Sequence, residues 1–147
     1  MTVREATNAD FESVVRLYRQ LNPDDPVLVD GSDRATFEVI VETSNLHIFV
    51  AEIEGLIAAT CYLNVIPNLT RRASPYGVIE NVVTDVSFRG KGLGKAVVQQ
   101  ALRQAWLAGC YKVMLLTGSR KESTREFYRA CGFNDDEKIA FVARPNG

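Results

Sequence analysis

Val82-Val83-Thr84-Asp85-Val86-Ser87-Phe88-Arg89-Gly90-Lys91-Gly92-Leu93-Gly94-Lys95 decides how this chain is read, because a strand-like apolar run breaks into a glycine-rich basic turn that opens a helix. Such a turn suits an anion. Gly90, Gly92 and Gly94 remove the Cβ atoms that would hold a phosphate off the backbone, and the unpaired N–H groups of a first helical turn point outward with the positive end of the dipole. Arg89, Lys91 and Lys95 add positive charge around it. Spacing excludes two familiar phosphate loops. A P-loop needs a glycine where Arg89 stands and Ser or Thr where Ala96 stands, and a dinucleotide fingerprint starting at Gly90 needs glycine where Lys95 stands. Arg-x-x-Gly-x-Gly is the pattern that remains.

Working outward, Tyr76 to Val86 reads as the strand that delivers the turn. The helix after it carries Val97, Val98, Ala101, Leu102 and Ala105 on one arc until Gly109 stops it. Upstream, Leu46 to Ile53 and Leu56 to Ile66 flank Glu54-Gly55 as an antiparallel hairpin, followed by a polar connection from Pro67 to Pro75 that contains Arg71 and Arg72. Val3 to Ala6 opens the chain as a short strand. Thr7 or Asn8 caps a helix with Phe11, Val14, Val15, Tyr18 and Leu21 inward, ended by Asn22-Pro23, and Ser32 or Asp33 caps a second helix with Phe37, Ile40 and Val41 inward. Downstream, Lys112 to Thr117 reads as a buried strand and Glu122 to Cys131 as a helix capped by Gly132. Lys138 to Ala143 reads as a closing strand.

At 147 residues with a net charge of −1, the chain suits one domain with one core and has no global attraction for nucleic acid. No apolar run approaches the ~18 residues that cross a bilayer, and Met1 to Glu5 has no apolar signal core, so a cytoplasmic protein without a membrane partner is expected. Cys61, Cys110 and Cys131 share no C-x-x-C spacing and read as reduced, buried residues. His47 is the single histidine and sits away from the glycine turn, which argues against Ser-His-Asp chemistry and ordinary metal sites. Trp106, at the edge of its helix's apolar arc, reads as core or interface.

The Arg-x-x-Gly-x-Gly turn and the later Phe127-Tyr128-Arg129-Ala130-Cys131-Gly132-Phe133 together resemble the GNAT superfamily of N-acetyltransferases, whose last large helix ends in F-Y-x-x-x-G-F. The order and separation of the two motifs match as well. The resemblance implies an α/β fold of mixed α+β character, the acyl-CoA N-acyltransferase fold, with a mixed central sheet and helices on both faces, in a single domain over residues 1–147. It implies acetyl-CoA as co-substrate and no metal. The diphosphate would lie on Arg89, Gly90, Lys91, Gly92, Leu93, Gly94 and Lys95.

Amide formation from a thioester needs a neutral amine, a polarised carbonyl and a proton for the departing thiolate. Glu80 lies nine residues before Arg89, a spacing similar to that of glucosamine 6-phosphate N-acetyltransferases, which carry an acidic pair where this chain has Glu80-Asn81. Glu80 either accepts the amine proton or pairs with Arg71 or Arg72. Strand alternation would put Glu80, Val82 and Thr84 on one face. GNAT proteins splay this strand so that backbone N–H groups at Val82, Val83 and Thr84 face the thioester, and Asn81 beside a β-branched pair is compatible with such an irregularity. An unbroken ladder is the alternative.

The resemblance implies Tyr128 as the acid, because GNAT proteins often place a phenol near the end of the last helix, and ordinary thiol and phenol pKa values of ~8.5 and ~10 suit the transfer; otherwise it packs against the thiol arm. Ser123 would add a hydrogen bond to the coenzyme at a place where the family often has Asn. On the acceptor side stand Glu80, Asn81, Arg71 and Arg72, and the acceptor is expected to be a small primary amine. The strand Val113-Met114-Leu115-Leu116-Thr117 lacks the aspartate with which amino-sugar enzymes hold their amine, so an amino-sugar phosphate is the lesser reading. A peptide or protein amine, a module that binds acyl-CoA without turnover, and a homodimer complete the expectations.

Overall fold

Glu54 and Gly55 both take positive φ, at 53° and 77°, the geometry of a two-residue turn that matches the twist of paired strands. They join β2 (Leu46–Ile53) to β3 (Leu56–Ile66) as the sequence predicts. The computed structural model describes residues 1–145, which divide into two units, the first Met1–Leu115 and the second from Leu116 onward. The first unit holds a five-stranded sheet in the order β1-β2-β3-β4-β5, with β1 (Thr2–Glu5), β4 (Tyr76–Thr84) and β5 (Val113–Leu115). β1 to β4 run antiparallel and β5 lies parallel to β4.

Helices cover both faces because the central strands β2 and β3 carry apolar side chains to both. Ile48, Val50 and Val83 join Phe11, Val14, Leu17 and Phe37 in one core, beneath α1 (Phe11–Leu21) and α2 (Ser32–Glu42). On the other face the Cys61 thiol donates to the Val97 carbonyl at 3.3 Å, which seats α4 (Leu93–Leu107) there. Gly77 lies on that face as well. A Cβ on it would stand 3.1 Å from Val113 and 3.2 Å from Leu63, so glycine is what lets β4, β5 and α4 approach so closely.

Several expected boundaries shift for local reasons. In α1 the inward residue is Leu17, fully buried, while Leu21 is exposed at the frayed last turn. The residue before α2 is Gly31 with φ 80°, and the Asp30 carboxylate accepts the Ser32 N–H at 3.0 Å, so neither Ser32 nor Asp33 caps it. β4 stops at Thr84 because Asp85 accepts the Ser87 N–H and turns Val86–Phe88 into a 3-10 turn. The connection after β3 contains a helical turn, α3 (Thr70–Ala73), left-handed at Arg71, Arg72 and Ala73. β5 covers only Val113–Leu115 and is half-buried, so the buried strand expected from Lys112 to Thr117 is shorter and less enclosed. Trp106 is exposed, which removes it from the core.

The second unit contains α5 (Glu122–Ala130), closed by Gly132 at φ 102° and by Phe133 N–H donating to the Tyr128 carbonyl at 3.0 Å. Arg125 and Arg129 both reach Asp135 at 2.8 Å. The expected closing strand is not formed: among the described residues, 138–143 pair with no neighbour, and Ile139, Phe141 and Val142 are exposed. The alternating pattern that suggested a strand is real. A strand also needs a ladder to take its N–H and C=O groups, and its own unit supplies none.

Two buried carboxylates pin the sheet to the helices. Asp10 takes a two-pronged contact from Arg4 at 2.7 and 3.0 Å and also the Thr7 N–H at 2.7 Å, tying β1 to the start of α1. Asp85 accepts from Arg16 and from Gln20, and Arg16 also donates to the Ile57 carbonyl at 2.6 Å. The Arg16 guanidinium beside Asp85 holds its carboxyl below the usual carboxylate range. A lowered carboxyl pKa stabilises the fold above the ordinary value of ~3.9, and that contribution fades as the pH falls below it. Asp85→Asn is therefore expected to lower stability at pH 7 by roughly 1–3 kcal/mol. Thermal unfolding from pH 7 down to pH 3 should show the gap between the two proteins closing at the acid end.

Candidate active site

The strand that leads into the glycine turn is interrupted. Thr60 pairs with Val83 and Tyr62 with Glu80, so Cys61 alone faces both Asn81 and Val82, and Asn81 is left-handed at φ 54°. This is a β-bulge, and it reverses the facing of every residue beyond it. Cross-strand partners share a face. Glu80 therefore goes with Tyr62 toward α1 and α2, and Val83 with Thr60 toward the same side, while Thr84 goes with Ala59 toward α4. The expected common face for Glu80, Val82 and Thr84 does not exist, because strand alternation does not carry across the bulge.

The same irregularity decides which amides are available. Asp85 donates its N–H to the Ala58 carbonyl at 2.7 Å, so alternation directs the Val83 amide to β3 and turns those of Val82 and Thr84 to the opposite edge. Val83 thus drops out as a backbone donor to a ligand. At the opposite edge β4 pairs with β5 only as far as Ile79 and Leu115, and among the described residues no strand pairs beyond.

Next comes the turn itself. Gly90 and Gly92 have φ of 79° and 80°, and nothing lies within 4 Å of where a Cβ would stand on either. Gly92 precedes α4, whose first ladder bond runs from the Ala96 N–H to the Gly92 carbonyl at 3.0 Å. The amides of Leu93, Gly94 and Lys95 lie ahead of that ladder, as helix geometry requires. Arg89, Lys91 and Lys95 surround them, with the Lys91 ammonium 5.2 Å from the Phe88 ring and Arg89 reaching back to the Thr84 carbonyl at 3.5 Å. The Leu93 side chain is buried in the core, so only its amide can serve a ligand. An open, positively charged turn of this kind fits a diphosphate.

On the α1 and α2 side a cavity of about 350 Å³ reaches the bulge. From α1 it is lined by Phe11, Val14, Val15 and Tyr18, and from α2 by Ser32, Asp33, Thr36, Phe37 and Ile40. Leu28 closes one side. The sheet contributes Ile48, Tyr62 and Asn81. Tyr18 and Asn81 line the cavity together, Asn81 works to lower the phenol's pKa, and burial outweighs it and pushes that pKa up to about 12; burial raises that of Tyr62 as well. Both stay neutral hydroxyls at working pH.

Of the residues singled out from sequence, Asn81 lines this cavity and Glu80 lies beside it, exposed, as the strand partner of Tyr62. Arg71 and Arg72 do not line it. They are exposed, and the Arg71 guanidinium rests 5.4 Å from the Tyr111 ring. Tyr128 and Ser123 belong to the second unit, where the Tyr128 ring meets Phe127 and Phe133 edge-on at 5.0 and 6.1 Å. His47 is tied to Glu5 at 2.9 Å and stacks on Phe49, a structural position. The three cysteines are buried thiols, with Cys61 pushed up to about 12 and Cys110 also raised by burial. Among the described residues no group of His, Cys, Asp and Glu is placed to hold a metal, and no helix is long and apolar enough to cross a membrane.

Sequence reasoning missed Tyr18, Asp33 and Tyr62 as cavity residues, since they read as core, cap and strand. Arg16 and Gln20, four apart on the polar flank of an amphipathic helix, were the available signal for an anchor that holds Asp85 ahead of the glycine turn.

Comparison with known proteins agrees with this geometry. The model of the acetyltransferase (GNAT) family matches residues 12–133. Glucosamine 6-phosphate N-acetyltransferase 1 of Oryza sativa subsp. japonica is 37% identical over 125 residues, covering 80% of this chain and 70% of that protein. The crystal structure of glucosamine-6-phosphate N-acetyltransferase from Arabidopsis thaliana superposes with a TM-score of 0.86 at 30% identity, covering 99% of this chain and 98% of that one. An Agrobacterium tumefaciens str. C58 protein assigned as an acetyltransferase gives 0.92 at 43% identity, covering 99% and 100%.

The Tyr18 phenol offers a direct check on the cavity. Its raised pKa means that the stability it confers is whole below pH ~10 and is lost as the pH climbs toward the folded value. An ultraviolet phenolate titration should show one late component near pH 12 that vanishes in Tyr18→Phe.

Proposed function

The chain belongs to the acetyltransferase (GNAT) family, and from that premise we propose how its parts divide the transfer of an acetyl group from acetyl-CoA to a small primary amine. The family assignment makes it an acetyl-CoA-dependent N-acetyltransferase and does not favour a module that only binds. Bound acetyl-CoA supplies the acyl group as an activated thioester. Everything else falls to the chain.

The observation that carries the reading is the continuity of one stretch: a β4 edge without a strand partner beyond Ile79 among the described residues runs directly into the open turn at Gly90 and Gly92. The amides of Leu93, Gly94 and Lys95, with Arg89, Lys91 and Lys95 around them, hold the diphosphate. The amides of Val82 and Thr84 donate to the acyl oxygen, where a dry, fixed donor is worth far more than water. Glu80, beside the cavity on the face of Tyr62, accepts the proton of the amine, and Asn81 orients it. Tyr128 is assigned the proton donor to the departing sulfur and Ser123 a coenzyme contact, both supported by motif resemblance alone. Transfer is direct, since the cysteines are buried thiols with no means of forming an acyl-enzyme.

A single acetyltransferase domain over residues 1–147 is supported by a family match that runs through both units. A cytoplasmic location and a homodimer belong to the same proposal, the latter supported by exposed Ile139, Phe141 and Val142. An amino-sugar phosphate acceptor is favoured by the names of the relatives and opposed by a β5 region, Val113 to Thr117, that has no carboxylate.

Gly92→Val tests the diphosphate site. A β-branched residue at φ 80° costs about 1–2 kcal/mol locally, and coenzyme A affinity by calorimetry is expected to fall at least tenfold while circular dichroism stays unchanged. Full affinity in that variant refutes the assignment. For the proton transfers, Glu80→Gln is expected to cut kcat by roughly 100-fold or more and to move the optimum to higher pH, where more amine is already free. Tyr128→Phe should lower kcat with little change in coenzyme affinity, and unaltered turnover removes Tyr128 from the acid role.

A further inference from the structure

The cavity against the bulge says more about the acceptor than the family does. Taking acetyl transfer as the reaction, a reading on which this inference rests, we infer that the acceptor is a primary amine with a compact, uncharged apolar body, aryl or branched alkyl, and not a phosphorylated amino sugar.

The walls are apolar at depth. Phe11, Val14, Phe37 and Ile48 give the cavity a floor continuous with the buried core, and half-buried Val15 and Ile40 extend it toward the opening. A sugar ring would leave its hydroxyls facing these side chains without partners, at ~1–3 kcal/mol for each buried group left unpaired. An alkyl or aryl body would instead be transferred from water at a gain of ~0.8 kcal/mol per methylene.

Charge decides the rest. Among the described residues lining the cavity there is no lysine or arginine, and Asp33 is its one carboxylate. A phosphate dianion would have to shed water beside that carboxylate with no cation to receive it. The guanidinium nearest in sequence is already engaged: Arg34 lies 4.4 Å from the Phe11 ring and donates to Glu12 at 2.9 Å. Arg71, the other candidate for an anion, rests over Tyr111 and is not part of the lining. An ammonium, by contrast, meets the Asp33 carboxylate and the neutral oxygens of Ser32, Thr36 and Asn81, all of them part of the lining. The bulge residue Asn81, which lines the cavity with Tyr18, brings this path to the strand whose amides are assigned to the acyl group.

The test uses the whole chain with ethylamine, isobutylamine, phenethylamine, ethanolamine and glucosamine 6-phosphate, read as coenzyme A thiol release and, separately, as equilibrium binding by calorimetry. Along the apolar series kcat/KM is expected to rise about fourfold per added methylene until the cavity is filled. Glucosamine 6-phosphate should fall at least 100-fold below phenethylamine. Thr36→Trp, at an exposed position on the rim, should weaken phenethylamine binding at least tenfold with coenzyme A binding retained, and Val15→Ser serves if the first variant does not fold. Phenethylamine binding with no amine acetylated supports the cavity assignment and sinks the acetyl-transfer reading. Preference for glucosamine 6-phosphate, or no phenethylamine binding while polar amines are acetylated, overturns the inference and leaves acetyl transfer standing.

Discussion

One residue too many between Glu80 and Val83 governs the chemistry of this fold. Beyond Ile79 the outer edge of β4 has no strand partner among the described residues, and regular pairing with β3 would fix which amides turn to that edge. The bulge at Asn81 and Val82 breaks that pairing at a local cost, since a non-glycine residue in the left-handed region is unfavourable by about 1 kcal/mol or more. It also turns Asn81 into the cavity beneath α1 and α2 and sends Val83 into the core beneath the same helices. A bent strand of this sort survives only where its surroundings hold it.

Those surroundings are polar as much as apolar. Arg16 joins α1 to Asp85 at the end of β4 and to the Ile57 carbonyl at the start of β3, bracketing the bulge from the side of the glycine turn. Gly77 does the corresponding work at the other end, where β4 and β5 meet in tight contact. From Ile79 to the Asp85 anchor the outer edge of β4 has no strand partner among the described residues.

What the sequence made legible was whatever local chemistry decides. Glu54-Gly55 between two β-branched runs can only be a tight hairpin, and the glycine turn announces its own φ values. Asn81 beside Val82-Val83 hints at an irregularity, yet no single-sequence rule says on which side of a bulge the faces reverse, so the expected shared face of Glu80, Val82 and Thr84 is not the one that forms. Tyr18 and Asp33 join the site through tertiary packing of two helices, which periodicity does not encode. The stretch from Lys138 to Ala143 fails in the opposite sense: its alternation is a strand pattern, and a strand exists only where another chain segment completes the ladder.

The buried cysteines carry a consequence for an enzyme whose product is itself a thiol. Mixed disulfides form by attack of a thiolate, and a group with a pKa of about 12, as Cys61 has, is ionised to the order of one part in a hundred thousand at neutral pH. Cys110 is shifted in the same direction, and Cys131 is likewise enclosed. Coenzyme A released at each turnover, and any disulfide it forms with itself, thus meets enclosed thiols, and at Cys61 and Cys110 burial also holds back the thiolate that conjugation of the protein to its own product would need.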